Sequence, residues 1–107
     1  MRMRPTHIDG LMTVESDIIP DERGSFMRLF CADALQMKVA QANRSVTLKK
    51  GTIRGMHFQR TPMLEAKFVR CTRGRMLDVA VDMRRGSKTF LQHFTIELDA
   101  DKGVAIM

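Results

Sequence analysis

The chain has 107 residues, 44% hydrophobic and 28% charged, and a formal net charge of +6 at pH 7. This length allows one domain with a modest core, and the apolar content argues against a disordered chain. No apolar run approaches the roughly 18 residues of a membrane span, so we predict neither a membrane protein nor a secretory signal. Two distant cysteines, Cys31 and Cys71, are typical of free thiols in a reducing, cytoplasmic compartment.

The surplus of basic residues indicates an anionic partner. Nucleic acid is the first candidate, but the Lys and Arg residues are scattered in runs of at most two, and Trp and Tyr are absent. Base stacking would therefore depend on Phe alone, and no helix-turn-helix or zinc-finger spacing is present. A phosphorylated small molecule explains the arginines equally well, so we expect no nucleic acid partner.

The first half of the chain predicts one turn, one helix and one strand. Residues Pro20–Gly24 have turn composition, and helix formers cluster at Ala32–Val39 with Asp33 in the first turn. Val46 and Leu48 then alternate with polar residues, which predicts a strand that ends at the turn Lys49–Gly51.

Alternation with a period of two dominates the second half and predicts strands. The apolar positions are Phe68 and Val69 within Ala66–Thr72, then Leu77, Val79, Val81 and Met83, then Phe90, Phe94, Ile96 and Leu98. Turn sequences separate these runs at Arg73–Gly74, Arg85–Ser87 and Asp99–Gly103. Short runs between such turns are typical of an antiparallel sandwich or barrel. We expect one domain, 1–107, that is incomplete because residues 103–107 resemble the start of a further strand.

Two aspartates, Asp78 and Asp82, share one face of a predicted strand. A paired catalytic function is one interpretation. Solvated or salt-bridged carboxylates, with Arg70 and Arg84 as partners, are the interpretation that we prefer.

The segment Gly51–Gln59 holds the most informative motif. In a regular strand His57 and Gln59 lie on one face and Arg54 on the other, unless a bulge at Gly55 turns Arg54 to the same side. A histidine in a strand can be structural or catalytic, and both interpretations remain open at this point.

A metal site is the alternative use of the same segment. Gly51 and His57 have the spacing of the cupin metal motif, in which a second histidine follows the first by two residues. Gln59 occupies that second position, Glu65 comes too late, and an amide oxygen is a poor ligand for a transition metal. We therefore predict a jelly-roll strand without a metal site, and no cofactor.

Six blocks together resemble one known family. Arg54–Gln59 is similar to the Arg-Gly-Leu-His-Phe/Tyr-Gln core of dTDP-4-dehydrorhamnose 3,5-epimerases. The other blocks follow the family's order and spacing at Asp21–Phe26, Gln41–Ser45, Lys67–Arg70, Asp78–Arg84 and Ser87–Phe90. The resemblance covers essentially the whole chain and corresponds to the N-terminal part of a full enzyme.

The resemblance implies an all-β, cupin-type double-stranded β-helix (jelly roll), truncated, with antiparallel strands and one short helix. It also implies a homodimer that acts on a dTDP-linked 4-keto-6-deoxyhexose. The implied reaction epimerises C3 and C5 of dTDP-4-keto-6-deoxyglucose by base-catalysed enolisation, in the pathway to dTDP-L-rhamnose.

The resemblance also implies roles for seven residues. His57 would be the base, Lys67 would stabilise the oxyanion, and Arg54 would assist substrate binding. The remaining four would bind the nucleotide sugar. Arg23 and Phe26 match positions that contact the nucleotide, in this family often across the dimer interface, and Gln41 and Asn43 match a further binding pair.

The chain departs from the family at several positions. Arg28 stands where the family commonly has glutamate, and the tyrosine acid and the carboxylate that orients the histidine have no counterpart. Two alternatives therefore stay open. One is a catalytically inactive jelly-roll module that binds or dimerises, and the other is a related nucleotide-sugar 3-epimerase or ketoisomerase.

Overall fold

The computed structural model describes all 107 residues and contains eight strands and one helix. In chain order the elements are β1 (Arg2–Pro5), β2 (Met12–Glu15), β3 (Ile18–Asp21), β4 (Gly24–Met27), α1 (Ala32–Leu35), β5 (Val69–Arg70), β6 (Arg75–Val81), β7 (His93–Asp99) and β8 (Val104–Ile106). All strand pairs are antiparallel, as predicted. The four-residue helix is far too short to cross a membrane, and no other helix is present.

The largest sheet has the strand order β1-β2-β8-β5. The last strand, β8, lies at its centre because Ala105 pairs with Val14 on one side and with Arg70 on the other. Met12 and Met107 extend the β2–β8 ladder through reciprocal backbone hydrogen bonds of 2.8 and 2.9 Å. The strand predicted from residues 103–107 is therefore confirmed, and it joins two parts of the chain that are distant in sequence.

Two small apolar clusters lie on the two faces of this sheet. One contains Val14, Leu35 and Ala105, and the other contains Cys71, Leu98 and Ile106. Neighbouring residues of a strand point to opposite faces, so Ala105 and Ile106 of β8 each enter a different cluster. Helix α1 covers the first face, and the β6–β7 hairpin covers the second.

Helix α1 is shorter than the predicted Ala32–Val39. It ends at Leu35 because Gln36 adopts a left-handed conformation with φ of 50°, and the amide of Met37 then bonds the carbonyl of Ala32 at 3.2 Å. This closure lets the chain leave the helix after a single turn that buries Leu35.

The two hairpins follow the predicted turns. In β3–β4 the turn closes because the Asp21 carboxylate accepts a hydrogen bond from the Arg23 amide at 2.8 Å. In β6–β7 the pairing runs from Arg75 with Asp99 to Val81 with His93. The predicted strand of residues 90–98 thus begins later than expected, since Phe90 lies in the preceding turn.

The aspartates of β6 have different surroundings. Asp78 is half-buried and forms no ion pair, and burial raises the pKa of its carboxyl. Leu77, on the opposite face, is 68% exposed. Asp78 thus forms neither of the ion pairs considered for it and is only partly solvated, because this hairpin places the Asp78 side of β6 against the cluster that contains Leu98.

Asp82, in contrast, forms the predicted pair with Arg84. Its buried carboxylate accepts hydrogen bonds from Arg84 Nε at 2.8 Å and Nη2 at 2.9 Å, and from Thr89 Oγ1 at 2.7 Å. Arg84 also donates to the carbonyl of Asp9 at 2.9 Å. The Arg84 guanidinium holds the pKa of Asp82 well below its usual range, and this pair links the β6–β7 connection to the β1–β2 connection.

Residues 38–67, which we call the 38–67 segment, contain no strand, and all of them are exposed. The strand predicted at Val46 and Leu48 is wrong, and so is the strand assumed around His57. The segment's backbone hydrogen bonds are local, such as Thr52 to Lys49 at 3.4 Å and Met63 to Arg60 at 2.9 Å. Alternating apolar residues form a strand only when a neighbouring strand pairs with them, and no part of the chain does so here.

We expect Leu98→Ala to lower the free energy of unfolding by about 3 kcal/mol, because the side chain is fully buried and its removal leaves a cavity. Leu77→Ala, in the partner strand, is the matched control and should change it by less than about 0.5 kcal/mol. Urea unfolding followed by circular dichroism measures both. Equal losses in the two variants would contradict the described orientation of the hairpin.

The lowered pKa of Asp82 predicts an acid-sensitive fold. A carboxylate whose pKa is depressed on folding stabilises the native state above its unfolded pKa of about 3.9, and this contribution is lost as pH falls below that value. Asp82→Asn should therefore flatten the fall in unfolding free energy between about pH 4 and pH 2. Asp33→Asn, at an exposed helix residue without an ion pair, should leave the profile unchanged, and an unchanged profile in Asp82→Asn would refute the assignment.

Candidate functional site

Arg23 lies in the turn of the β3–β4 hairpin, and Phe26 lies within β4, where it pairs with Ile19. Arg23 Nη2 donates to Asp21 Oδ2 at 2.7 Å and lowers the pKa of that carboxyl, yet the Arg23 side chain remains 90% exposed. Phe26 is 64% exposed. Both residues line a shallow depression of about 330 Å³ with Asp21, Gly24 and Ser25. The hairpin therefore presents one cation and one aromatic ring to the same surface.

Arg54 folds back across the 38–67 segment. Its Nε donates to Thr47 Oγ1 at 3.2 Å, and its Nη2 donates to the Val46 carbonyl at 3.0 Å. These hydrogen bonds connect the residues before the Lys49–Gly51 turn with the residues after it. Arg54 thus keeps the two halves of this turn together while its guanidinium stays exposed.

His57 is exposed, and its ring lies against Gly55. A Cβ added at Gly55 would come within 3.5 Å of His57 Nδ1 and 3.6 Å of the His57 amide, and Gly55 has a φ of 119° that side-chain-bearing residues rarely adopt. The chain is thus irregular at Gly55, but it forms no β-bulge, because a bulge requires a paired strand and none is present.

Lys67 forms an ion pair with Glu65, with Nζ 2.8 Å from Oε1. The lysine side chain is half-exposed, and an ion pair of this kind contributes only about 0–1 kcal/mol to stability. Glu65 can therefore be exchanged for another anionic group at little energetic cost. Lys67 is available as a cation for a ligand.

Gln41 and Asn43 are exposed, and their side chains form no hydrogen bond within the chain. No hydrogen bond or ion pair joins any two of the seven predicted site residues. The structure therefore brings Arg23 and Phe26 together on the hairpin and places the other five on the 38–67 segment.

Charge distinguishes the 38–67 segment from the rest of the molecule. Its 30 residues include seven Lys or Arg and a single acidic residue, Glu65, so it carries the entire net charge of +6. The remaining residues are balanced in charge. An anionic ligand is therefore attracted to the part of the chain that holds the histidine and the lysine.

Sequence reasoning missed the structural position of Arg70. It was predicted as a partner of the β6 aspartates, but its guanidinium lies at Ser16 and Met27 instead. The available signal was its place within the otherwise apolar run Phe68–Cys71.

No three His, Cys, Asp or Glu side chains in the chain are arranged to hold a metal ion. Around His57 the neighbouring donor is the amide of Gln59, so a second imidazole is not available in the motif. The absence of a resident metal remains a prediction.

The family model for dTDP-4-dehydrorhamnose 3,5-epimerase matches residues 5–107. The chain belongs to this family. It is 40% identical over 103 residues to the dTDP-4-dehydrorhamnose 3,5-epimerase of Streptomyces griseus, a match that covers 91% of this chain and 51% of the relative. The chain thus spans about half the length of the epimerases that it matches.

Solved epimerases share the fold. The dTDP-4-dehydrorhamnose 3,5-epimerase of Bacillus anthracis, with TDP and PPi bound, is 30% identical with a TM-score of 0.92, over 98% of this chain and 63% of that one. A 3'-monoepimerase from Streptomyces bikiniensis, in complex with dTDP-quinovose, is 34% identical with a TM-score of 0.90. That match covers 97% of this chain and 55% of the monoepimerase. These relatives confirm the predicted cupin jelly roll.

Arg28, where epimerases of this family commonly have glutamate, is exposed and forms no ion pair. The reversed charge therefore does not disturb the hairpin itself. It adds a further cation close to Phe26.

We expect the purified epimerase-family chain to contain far less than one equivalent of zinc, iron or nickel, because the His57 motif offers one imidazole. Elemental analysis after purification without chelator measures this. A near-stoichiometric transition metal that is lost in His57→Ala would contradict the prediction.

Proposed function

We propose that this chain carries the base and the nucleotide-binding part of a dTDP-4-dehydrorhamnose 3,5-epimerase, acting on a dTDP-linked 4-keto-6-deoxyhexose. The proposal rests on one observation: the residues that match the family's catalytic motif lie on the positively charged 38–67 segment. His57, Lys67 and Arg54 match the family's motif positions, and all three lie on the exposed segment that holds the net positive charge.

The proposed chemistry is the removal of a proton next to a ketone. The C–H bonds at C3 and C5 flank the C4 carbonyl, so each can lose its proton to a base when the resulting enolate is stabilised. His57 accepts the proton, and the C–H electron pair moves into the enolate, whose oxygen carries the charge. The Lys67 ammonium stabilises that oxygen. Water donates a proton to the opposite face of the carbon, which completes the inversion, and the hydroxide left behind takes the proton from His57.

The proposed nucleotide contacts divide between the hairpin and the segment. Phe26 offers an exposed apolar ring to the nucleobase of the ligand. Arg23 offers a guanidinium that can bind two phosphate oxygens at once. Gln41 and Asn43 offer amides that are free of internal hydrogen bonds. The anionic diphosphate also explains the charge surplus without a nucleic acid partner. The motif around His57 offers one imidazole and one amide as metal ligands, and this supports a reaction without a cofactor or resident metal.

A homodimer is also part of the proposal. Ile19 and Phe26 are directly paired across the β3–β4 hairpin, and they are 59% and 64% exposed. Contiguous exposed apolar surface is typical of protein–protein contacts, and this pair supports a contact that includes the hairpin. The free thiols of Cys31 and Cys71 support a reducing, cytoplasmic location.

A 3-epimerase is the second candidate. The monoepimerase from Streptomyces bikiniensis matches this chain with nearly the same TM-score as the 3,5-epimerase from Bacillus anthracis. The two reactions differ only in whether C5 also exchanges its proton, and the fold alone does not separate them.

Deuterium incorporation from D₂O into dTDP-4-keto-6-deoxyglucose tests the proposal. We expect exchange at C3 and C5 above the rate without protein, and exchange at C3 alone would favour the 3-epimerase. His57→Ala should slow the exchange by about 10²–10⁴-fold, as for loss of a general base. His93→Ala, at another exposed histidine, is the control and should keep it. No exchange in the parent, or equal rates in parent and His57→Ala, would refute the catalytic assignment.

A further inference from the structure

Arg70, on the edge strand β5, reaches to the base of the β3–β4 hairpin. Its Nη2 donates to Ser16 Oγ at 2.8 Å, and its Nη1 approaches Met27 Sδ at 3.6 Å. Ser16 lies just before β3, and Met27 is the last residue of β4 and pairs with Ile18. The guanidinium therefore contacts the connection that leads into the hairpin and the residue that ends it. We call Arg70, Ser16 and Met27 the Arg70 clamp.

The surroundings of Arg70 are unusual for a charged group. It has no carboxylate partner, its Nε is buried without a hydrogen-bond partner, and burial lowers the pKa of the guanidinium. Its guanidinium carbon lies 5.7 Å from the centre of the Phe68 ring, within the range of a cation–π contact. A buried polar atom without a partner costs stability, and such costs are concentrated at functional positions.

The hairpin needs an external anchor. A two-stranded hairpin is marginally stable alone, and β3 and β4 pair only with each other. Gly103 meets the same two residues as Arg70. The Ser16 amide donates to the Gly103 carbonyl at 2.9 Å, and a Cβ added at Gly103 would lie 2.6 Å from the Ser16 carbonyl and 2.9 Å from Met27 Sδ. Arg70 and Gly103 thus both contact Ser16 and Met27. Only Arg70 contacts them through hydrogen bonds from its side chain.

We propose that Arg70 is a positioning residue that fixes the β3–β4 hairpin against β5, and with it the placement of Arg23 and Phe26 relative to Lys67. Arg70 follows Lys67 by three residues, a distance of about 10 Å along an extended chain. The fork of the guanidinium reaches two acceptors at once, which an ammonium cannot do with the same geometry. The consequence for ligand binding rests on the proposed function, whereas the effect on the hairpin does not.

Amide hydrogen exchange and dTDP titration on the full chain test this inference with two variants, Arg70→Met and Arg70→Lys. Arg70→Met should speed exchange in β3 and β4 by about tenfold, as for loss of a hydrogen bond to a charged group, and leave β6–β7 unchanged. It should weaken dTDP binding by a similar factor. Arg70→Lys should recover part of both effects, because an ammonium can still reach Ser16.

Cys71→Ala is the matched control. It removes a buried side chain from the next position and leaves the Arg70 clamp intact, so it should lower overall stability without selective opening of the hairpin. If Arg70→Met does not fold, Ser16→Ala removes the acceptor instead and should give the same selective opening.

Unchanged hairpin exchange in Arg70→Met or Ser16→Ala would overturn the inference. So would an equal rise in β6–β7, or the same selective opening in Cys71→Ala. If the parent chain binds no dTDP, the proposed function fails, and hairpin exchange still decides the role of Arg70.

Discussion

The backbone pairing of the three-residue strand β8 is the interaction on which the rest of the fold depends. This strand pairs with β2 on one side and with β5 on the other, so it connects the first residues of the chain to the region that follows Lys67. Ala105 and Ile106 point to opposite faces and enter the two apolar clusters. Because both clusters depend on the same strand, the helix on one face and the β6–β7 hairpin on the other are stabilised together.

The predicted site residues lie outside this core. The β3–β4 hairpin holds Arg23 and Phe26 and is anchored through Arg70, while the 38–67 segment holds His57 and Lys67 and carries the net charge. The core therefore fixes where the hairpin and the segment leave the sheet, and side chains with few internal partners face the solvent. This separation is typical of enzymes whose loops carry the function on a rigid scaffold.

Local patterns predicted the parts that depend on local chemistry. The turns at Pro20–Gly24 and Asp99–Gly103 and the strands β6 and β7 follow from turn residues and alternation. The strand at Val46–Leu48 was wrong because pairing requires a neighbour that sequence alone does not supply. The half-buried Asp78 and the role of Arg70 depend on contacts with distant residues. The site residues were predicted through the motif around His57 and the blocks that accompany it, and their roles stay predictions because they depend on contacts with a ligand.

We propose that the hairpin and the 38–67 segment together form one site for a nucleotide sugar. Titration of the isotope-labelled chain with dTDP, followed by backbone amide chemical shifts, tests it most directly. We expect saturable shifts at Arg23 and Phe26 and between residues 41 and 67, with β1 and the β6–β7 hairpin unaffected. Shifts confined to β1 or to β6–β7, or no saturable shift at millimolar dTDP, would contradict the account.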